Sequence, residues 1–162
     1  MNFTYLTQPP KKWTLEQPKL KEWVEQKFEG LCVLNLFAGK TRLLLKEIRV
    51  DISNEFNPDF VMDAYEYVCS LPNNALDAVL LDPPYNLRKS REKYGGKYIG
   101  SFTKIKNVLK DKLRDGGLVI IMGYDSVGMA NCRGFEKIEV CLVCHNGDHN
   151  DTICLLEKKR DL

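Results

Sequence analysis

The chain is a succession of short apolar runs separated by polar, glycine-bearing or proline-bearing stretches. Leu31 to Leu36 alternates little and reads as a buried parallel strand. Ile48 to Asp51, Phe60 to Asp63, Leu76 to Leu81 and Leu118 to Met122 predict four more strands. Helical spacing lies between them. Pro18 suits a first helical position, and Leu20, Trp23, Val24 and Phe28 recur on one face until Gly30. Thr41 to Lys46 predicts a short helix, and Ala64 to Ser70 a helical turn closed by Pro72. Phe102, Ile105, Val108, Leu109 and Leu113 share a helix face that Asp115-Gly116-Gly117 breaks. A short helix is expected near Ser126 to Asn131. Ile138 to His145 and Thr152 to Glu157 flank Asn146-Gly147-Asp148 as the two arms of a hairpin. Before the first helix, Thr7 to Trp13 is an extended arm stiffened by Pro9 and Pro10.

Strands alternating with helices and closed by an antiparallel hairpin predict an α/β, doubly wound, mostly parallel sheet with right-handed crossovers. At 162 residues this is one domain, with an N-terminal arm and helix over 1–30 and an α/β core over 31–162. No internal repeat or linker interrupts it.

Ligands in such sheets bind beyond the carboxyl ends of the strands. The first core strand runs into Asn35-Leu36-Phe37-Ala38-Gly39, where a small residue and a glycine let backbone N–H groups approach a ligand. The second ends in Asp51, a candidate for two ribose hydroxyls. The third ends in Asp63, beside Ala64, a candidate acceptor for an adenine amino group. The fourth runs into Asp82-Pro83-Pro84-Tyr85. Each proline lacks an N–H and fixes φ, and each pushes its predecessor into extended backbone. The result is a stiff elbow that offers a carboxylate, a free carbonyl and an aromatic ring to one small volume. That set suits a planar ring carrying an exocyclic amino group. Four consecutive strands thus deliver chemistry to one rim.

Composition and charge narrow the partners. Apolar residues make up 44% of the chain, which indicates a globular core, and no window approaches an eighteen-residue apolar span, so no membrane partner is expected. Met1-Asn2-Phe3-Thr4 opens neither a signal nor a transit sequence, and the six cysteines sit mostly within apolar runs, so a reducing, cytoplasmic location is expected. The net charge of +2 is unevenly spread: Asp51 to Leu87 holds seven acids and no Lys or Arg, whereas Arg88 to Lys110 holds eight basic residues and one acid. Arg88, Lys89, Arg91 and Lys93 leave the elbow in a segment that also holds Gly95, Gly96 and Gly100, and positive charge there suits a nucleic-acid backbone. An ordinary solvated face is the alternative.

The tetrapeptide Asp82 to Tyr85 resembles the catalytic motif of S-adenosylmethionine (SAM)-dependent methyltransferases that modify nucleobase amino groups, above all adenine N6. The resemblance covers roughly residues 12 to 125. It implies a class I methyltransferase, Rossmann-like fold with seven strands, the last inserted antiparallel. It implies that Asp82 and the Pro83 carbonyl accept the two amino hydrogens, that Pro84 stiffens the elbow and that Tyr85 stacks on the extruded base. Asn35 to Gly39 resembles the family's SAM loop, usually Asp-x-Phe-x-Gly-x-Gly; here Asn35 replaces the acid and Thr41 the second glycine. On this resemblance Asn35, Phe37, Ala38, Gly39, Asp51, Asp63 and Ala64 hold SAM. The segment Trp13 to Lys19 is similar to the family's stretch over the methionine end, which adds Gln17.

Other ligands fit less well. Gly39-Lys40-Thr41 looks like the end of a phosphate-binding loop, but Leu34 stands where that loop needs glycine, and no Gly-x-Gly-x-x-Gly follows the first core strand to hold a dinucleotide. Cys141, Cys144, His145, His149 and Cys154 have zinc-like composition, yet the strand period puts Cys141 and Cys144 on opposite faces. Buried thiols are the better reading, and no metal is expected.

The expected function is methyl transfer to adenine N6 in DNA or RNA. Guanine N2 of an RNA and a catalytically silent nucleic-acid-binding subunit are the alternatives. Glutamine amide methylation is disfavoured by Asp82, since that elbow usually begins with Asn. No target-recognition domain is expected within these 162 residues. Either specificity is low, a partner subunit supplies it, or a structured RNA is read by shape.

Overall fold

The computed structural model describes residues 1–84, 97–147 and 149–161, and only the backbone of 97–101. In chain order its elements are β1 (Asn2–Thr7), α1 (Pro18–Lys27), β2 (Val33–Leu36), β3 (Glu47–Asp51), β4 (Phe60–Val61), α2 (Ala64–Ser70), β5 (Leu76–Leu81), α3 (Lys97–Lys112), β6 (Leu113–Gly123), β7 (Phe135–Cys144) and β8 (Thr152–Lys159). Short 3-10 turns lie at Thr14–Glu16 and Asn131–Arg133.

The described strands form one sheet in the order β1-β7-β8-β6-β5-β2-β3-β4. Only β8 runs antiparallel to its neighbours. Seven strands therefore follow the expected doubly wound order with the last one inserted antiparallel. The eighth, β1, corrects the seven-stranded expectation. It joins the far edge and pairs in parallel with β7, from Asn2 opposite Glu139 to Thr7 opposite Cys144. Nothing local in Asn-Phe-Thr-Tyr-Leu-Thr announces this, because the partner lies more than a hundred residues away in sequence.

The period-2 alternation of the strands splits the core into two layers. Leu34, Leu36, Val79, Leu81, Val119 and Ile121 face Val68 of α2 and Ile105 and Leu109 of α3. Val33, Ala78, Leu80, Ile120, Cys141 and Val143 face Leu20, Trp23, Val24 and Phe28 in and after α1. Trp23 Nε1 donates to Glu139 Oε2 at 2.6 Å, and Lys27 Nζ lies 3.0 Å from the same carboxylate, which ties α1 to β7.

Two expected helices are absent. Thr41 to Lys46 is irregular, and hydrogen bonds from other elements take several of its backbone groups and those of the loop before it. Arg49 engages the carbonyls of Ala38, Gly39 and Thr41, Glu47 accepts from Leu43 N, and Glu25 accepts from Leu44 N. Between β6 and β7, the expected helix at Ser126 to Asn131 is replaced by a loop with a single 3-10 turn. Glu157, fully buried on β8, accepts from Met129 N at 2.6 Å and Ala130 N at 3.3 Å, and a Cβ on Gly128 would collide with that carboxylate. Burial pushes the Glu157 carboxyl above its ordinary value, and the two backbone donors act against that rise.

The hairpin forms where the sequence predicts it, as β7 and β8. Asp115 to Gly117 follows the end of α3 but lies inside β6, where the pairing with β5 shifts register between Leu76 and Ala78. Cys141 and Cys154 face each other across β7 and β8 and are fully buried, whereas Cys32 and Cys144 are half-buried and Cys69 and Cys132 exposed, so two of the six cysteines rather than most of them are buried. Burial pushes the Cys141 thiol up to about 12 and raises Cys154 as well, so both are protonated at neutral pH. His145 is buried, with Nδ1 2.9 Å from Gln8 O and Nε2 2.7 Å from Thr152 Oγ1. No described helix is long and apolar enough to cross a membrane.

Candidate active site

The chain reverses direction across the sheet between β2 and β5: from β2 it moves outward to β3 and β4, then returns to β5 on the other side. The carboxyl ends of these strands leave a crevice, as expected where strand order switches. A cavity of about 470 Å³ fills it, within the usual range for a small-molecule site. Phe37, Ala38, Gly39, Asp51, Asp63, Ala64, Asp82, Pro83 and Pro84 all line it. These residues come from four separate strand ends, so only the sheet brings them together.

The loop after β2 is held from both sides. Phe37 and Gly39 take positive φ, at 59° and 57°. A Cβ on Gly39 would stand 3.0 Å from the Trp13 ring, so the close approach of Trp13 needs glycine there. Asp51 accepts from Gly39 N through Oδ2 and from Ser53 N through Oδ1, each at 2.9 Å. Beneath the loop lies Arg49, 1% exposed, with Nη2 2.7 Å from Gly39 O, and Nη1 2.8 Å from both Thr41 O and Glu47 Oε1. Glu47 also accepts from Asn35 Nδ2 at 3.2 Å. Asn35 is thus buried behind the loop and does not line the cavity.

Asp63 caps α2, accepting from Glu66 N at 3.1 Å, which aims the start of that helix at the cavity. At the end of β5, Asp82 is half-buried and Thr14 Oγ1 donates to its Oδ1 at 3.4 Å. Thr14 belongs to the segment that crosses the mouth. Lys12, Trp13, Thr14 and Leu15 line the cavity, Trp13 meets Phe56 edge-on at 5.3 Å, and Lys40 pairs with Glu16 at 3.1 Å. Gln17 does not line it. It is buried at the start of α1, and its Oε1 has no hydrogen-bond partner among the described residues. Tyr85, Arg88, Lys89, Arg91 and Lys93 lie outside the described residues.

Four contributors are not singled out by sequence reading. Trp13 and Thr14 fall there within an arm and a loosely matching segment. Glu47 and Arg49 carry no motif, although a charge between Ile48 and Val50 in an apolar strand is itself a signal of a buried ion pair.

The lining carries four carboxylates (Asp51, Glu55, Asp63 and Asp82) against two lysines (Lys12 and Lys40). Such a wall repels phosphates and favours a ligand with positive charge, hydroxyls and amino groups. SAM has that character on balance: a sulfonium, an ammonium, two ribose hydroxyls and an adenine amino group against a single carboxylate. The residues present therefore fit it better than a nucleotide phosphate.

No protein-family model matches the chain, and no curated protein sequence matches it. Solved structures do resemble it. TrmN from Thermus thermophilus superposes with a TM-score of 0.61 at 14% identity, over 88% of this chain and 49% of that one, so the chain spans about half the length of TrmN. The 1,6-didemethyltoxoflavin-N1-methyltransferase of Burkholderia thailandensis, bound to S-adenosylhomocysteine, gives a TM-score of 0.63 at 11% identity, over 89% of this chain and 78% of that one. A SAM-dependent methyltransferase from Archaeoglobus fulgidus gives 0.57 at 14% identity, over 87% and 93%. The fold of this chain is thus the α/β methyltransferase fold that the Burkholderia and Archaeoglobus enzymes share.

Proposed function

We propose that this protein is a SAM-dependent methyltransferase that acts on the exocyclic amino group of a nucleobase, adenine N6 in DNA or RNA. The observation that carries this reading is the shared cavity: an acidic strand-end rim beside an Asp-Pro-Pro elbow. The bound S-adenosylhomocysteine of the Burkholderia enzyme and the SAM dependence of the Archaeoglobus enzyme support the cofactor.

Phe37, Ala38 and Gly39 would hold SAM by backbone and ring, Asp51 its ribose, and Asp63 with Ala64 its adenine. Bound SAM supplies an electrophilic methyl group. The chain's own residues prepare the acceptor. An aromatic amino group is a poor nucleophile because its lone pair is delocalised into the ring. Asp82 and the Pro83 carbonyl each accept one amino hydrogen, which favours a tetrahedral nitrogen with a localised lone pair. The Thr14 hydroxyl occupies one lone pair of Asp82 Oδ1 and restrains the carboxylate. Pro84 fixes the backbone behind it, and Tyr85 stacks on the base. Asn35 acts through Glu47 and Arg49 on the shape of the SAM loop. Gln17 supports the segment that carries Trp13 and Thr14.

A paired base cannot reach such an elbow, so the target is unpaired or extruded, at a cost of a few kcal/mol. Arg88, Lys89, Arg91 and Lys93 would meet the phosphate backbone beside it. A partner subunit or the shape of the RNA supplies further specificity.

Three experiments test the reading. Asp51→Ala should weaken SAM binding about tenfold or more in calorimetry, because a charge-assisted hydrogen bond contributes roughly 1.5–3 kcal/mol. Absence of SAM binding by the wild type would remove the reading altogether. Replacing Arg88, Lys89, Arg91 and Lys93 by Gln should weaken nucleic-acid binding and spare SAM affinity. Each phosphate contact adds roughly −0.7 to −0.9 to the log–log salt slope, so the slope should flatten by up to about three units. An unchanged slope returns the segment to a solvated surface. Mass analysis of nucleosides after incubation with SAM separates adenine N6 from guanine N2.

A further inference from the structure

Among the described strands the sheet has two edges, the two-residue β4 and the longer β1, which pairs with β7 on one side and with no described strand on the other. Within a strand, the N–H and C=O of one residue point to the same side, and neighbours alternate. Gln8 N donates to Cys144 O at 3.0 Å, so Gln8 and, by alternation, Leu6 and Thr4 turn their backbone groups to β7. Phe3, Tyr5 and Thr7 turn theirs outward. The Thr7 carbonyl takes the Lys19 ammonium at 3.2 Å, which leaves Phe3 and Tyr5 as the pairing edge.

Edge strands are commonly protected by lysine, proline, a bulge or an inward-pointing charge. Asn2–Thr7 contains no charged residue and no proline, and its pairing with β7 is regular over all six residues. Its outer face carries two exposed aromatic rings, the Tyr5 hydroxyl being turned to Cys144 and Thr7. Phe3 is 66% and Tyr5 56% exposed, and they share a face with their half-buried partners Val140 and Leu142. The opposite face is covered: Cys141 and Val143 pack under α1. The short loop between β6 and β7 holds no α-helix that could cover the open face.

We propose that β1 is a self-pairing edge, and that its occupant is β1 of a second copy of this chain, antiparallel about a two-fold axis normal to the sheet. Such an axis keeps the open face of both copies on one side. With Thr4 opposite Thr4 of the second copy, Phe3 stands opposite Tyr5 in both directions. Both are residues whose backbone groups point outward, so each of the two pairs exchanges two N–H···O bonds. The same register places two aromatic cross-strand pairs on the open face, a combination worth roughly 0.2–1 kcal/mol per pair beyond alanine. Sliding by two residues either way removes these mixed aromatic pairs, and sliding by one opposes outward with inward backbone groups. The strand carries no charge that would repel its own copy or select a charged peptide instead. All strands except β8 run one way, so the two-fold axis puts the two cavities on opposite rims, each open to its own substrate.

A contact of one short strand belongs to the weak class of interfaces, below about 1,200 Å². Sedimentation velocity should therefore show a concentration-dependent monomer–dimer equilibrium in the micromolar range. Tyr5→Pro removes one outward N–H and no backbone bond to β7, along with the Tyr5 side-chain hydrogen bond to Cys144, so it should give monomer with the melting temperature lowered by no more than a few degrees. If that variant melts early, Phe3→Lys combined with Tyr5→Lys places like charges opposite each other and should also give monomer. Thr4→Cys should form a disulfide between the introduced thiols of two copies on mild oxidation, identified by peptide mapping. The central pair is a non-hydrogen-bonded one with Cα atoms about 4.5 Å apart, within disulfide range. Monomer at all concentrations, a dimer undiminished in both edge variants, or cross-links only through the native cysteines would overturn the proposal. None of these readouts depends on what the cavity binds.

Discussion

Asp82→Ala should lose roughly 10²-fold or more in the rate of methyl transfer, because positioned hydrogen bonds at a reacting group carry effects of that size. SAM affinity should stay within a factor of about two, since Asp82 is assigned to the amino group rather than the cofactor. Kinetics make the distinction readable: losing an interaction made only in the transition state lowers kcat and kcat/KM together. Initial rates with labelled SAM, set beside calorimetry on the same variant, measure both quantities. Thr14 loses its acceptor in this variant, so a small loss of stability is expected with it. Undiminished methyl transfer would reduce Asp82 to a polar residue at the end of β5.

Arg49→Met should destabilise the protein by about 3–5 kcal/mol, the usual cost of breaking a buried ion pair from one side. The Arg49 and Glu47 side chains are 1% and 7% exposed and 2.8 Å apart, so the substitution leaves a carboxylate with no counter-charge in the interior. It also frees the carbonyls of Ala38, Gly39 and Thr41. For a domain of this size the melting temperature should fall by roughly 6–20 °C. Adding Glu47→Gln should restore part of the loss, because the uncompensated charge goes with it. SAM affinity should not recover in the double variant, since the loop carbonyls still lack the guanidinium. Urea unfolding of the single and double variants separates the two effects. Equal stability of wild type and Arg49→Met would mean that the loop stands without its buried arginine.

The local pattern was sufficient for the central strands and for the position of the candidate chemistry. Leu76–Leu81 is a strand over the residues expected, and Ala64–Ser70 a helix over the residues expected. Both follow from short-range rules: unbroken apolar runs make buried strands, and Asp63 supplies a helix cap. Asp51 and Asp82 stand at strand ends for the same reason, since each acid terminates an apolar run. Long-range contacts settled the rest. Whether Thr41 to Lys46 forms a helix depends on whether its neighbouring carbonyls are free, and Arg49 engages three in that loop from a strand that follows in sequence. Whether Asn2–Thr7 is arm or strand depends on an edge offered by β7, far along the chain. Gln17 and Trp13 are near neighbours in one segment, yet the first is buried at the start of α1 and the second lies against Gly39, a difference set by the docking of that segment on the sheet. Periodicity reports which face of an element is apolar. It carries no information about which distant element will cover that face, or which buried side chain will take a backbone group's hydrogen bond.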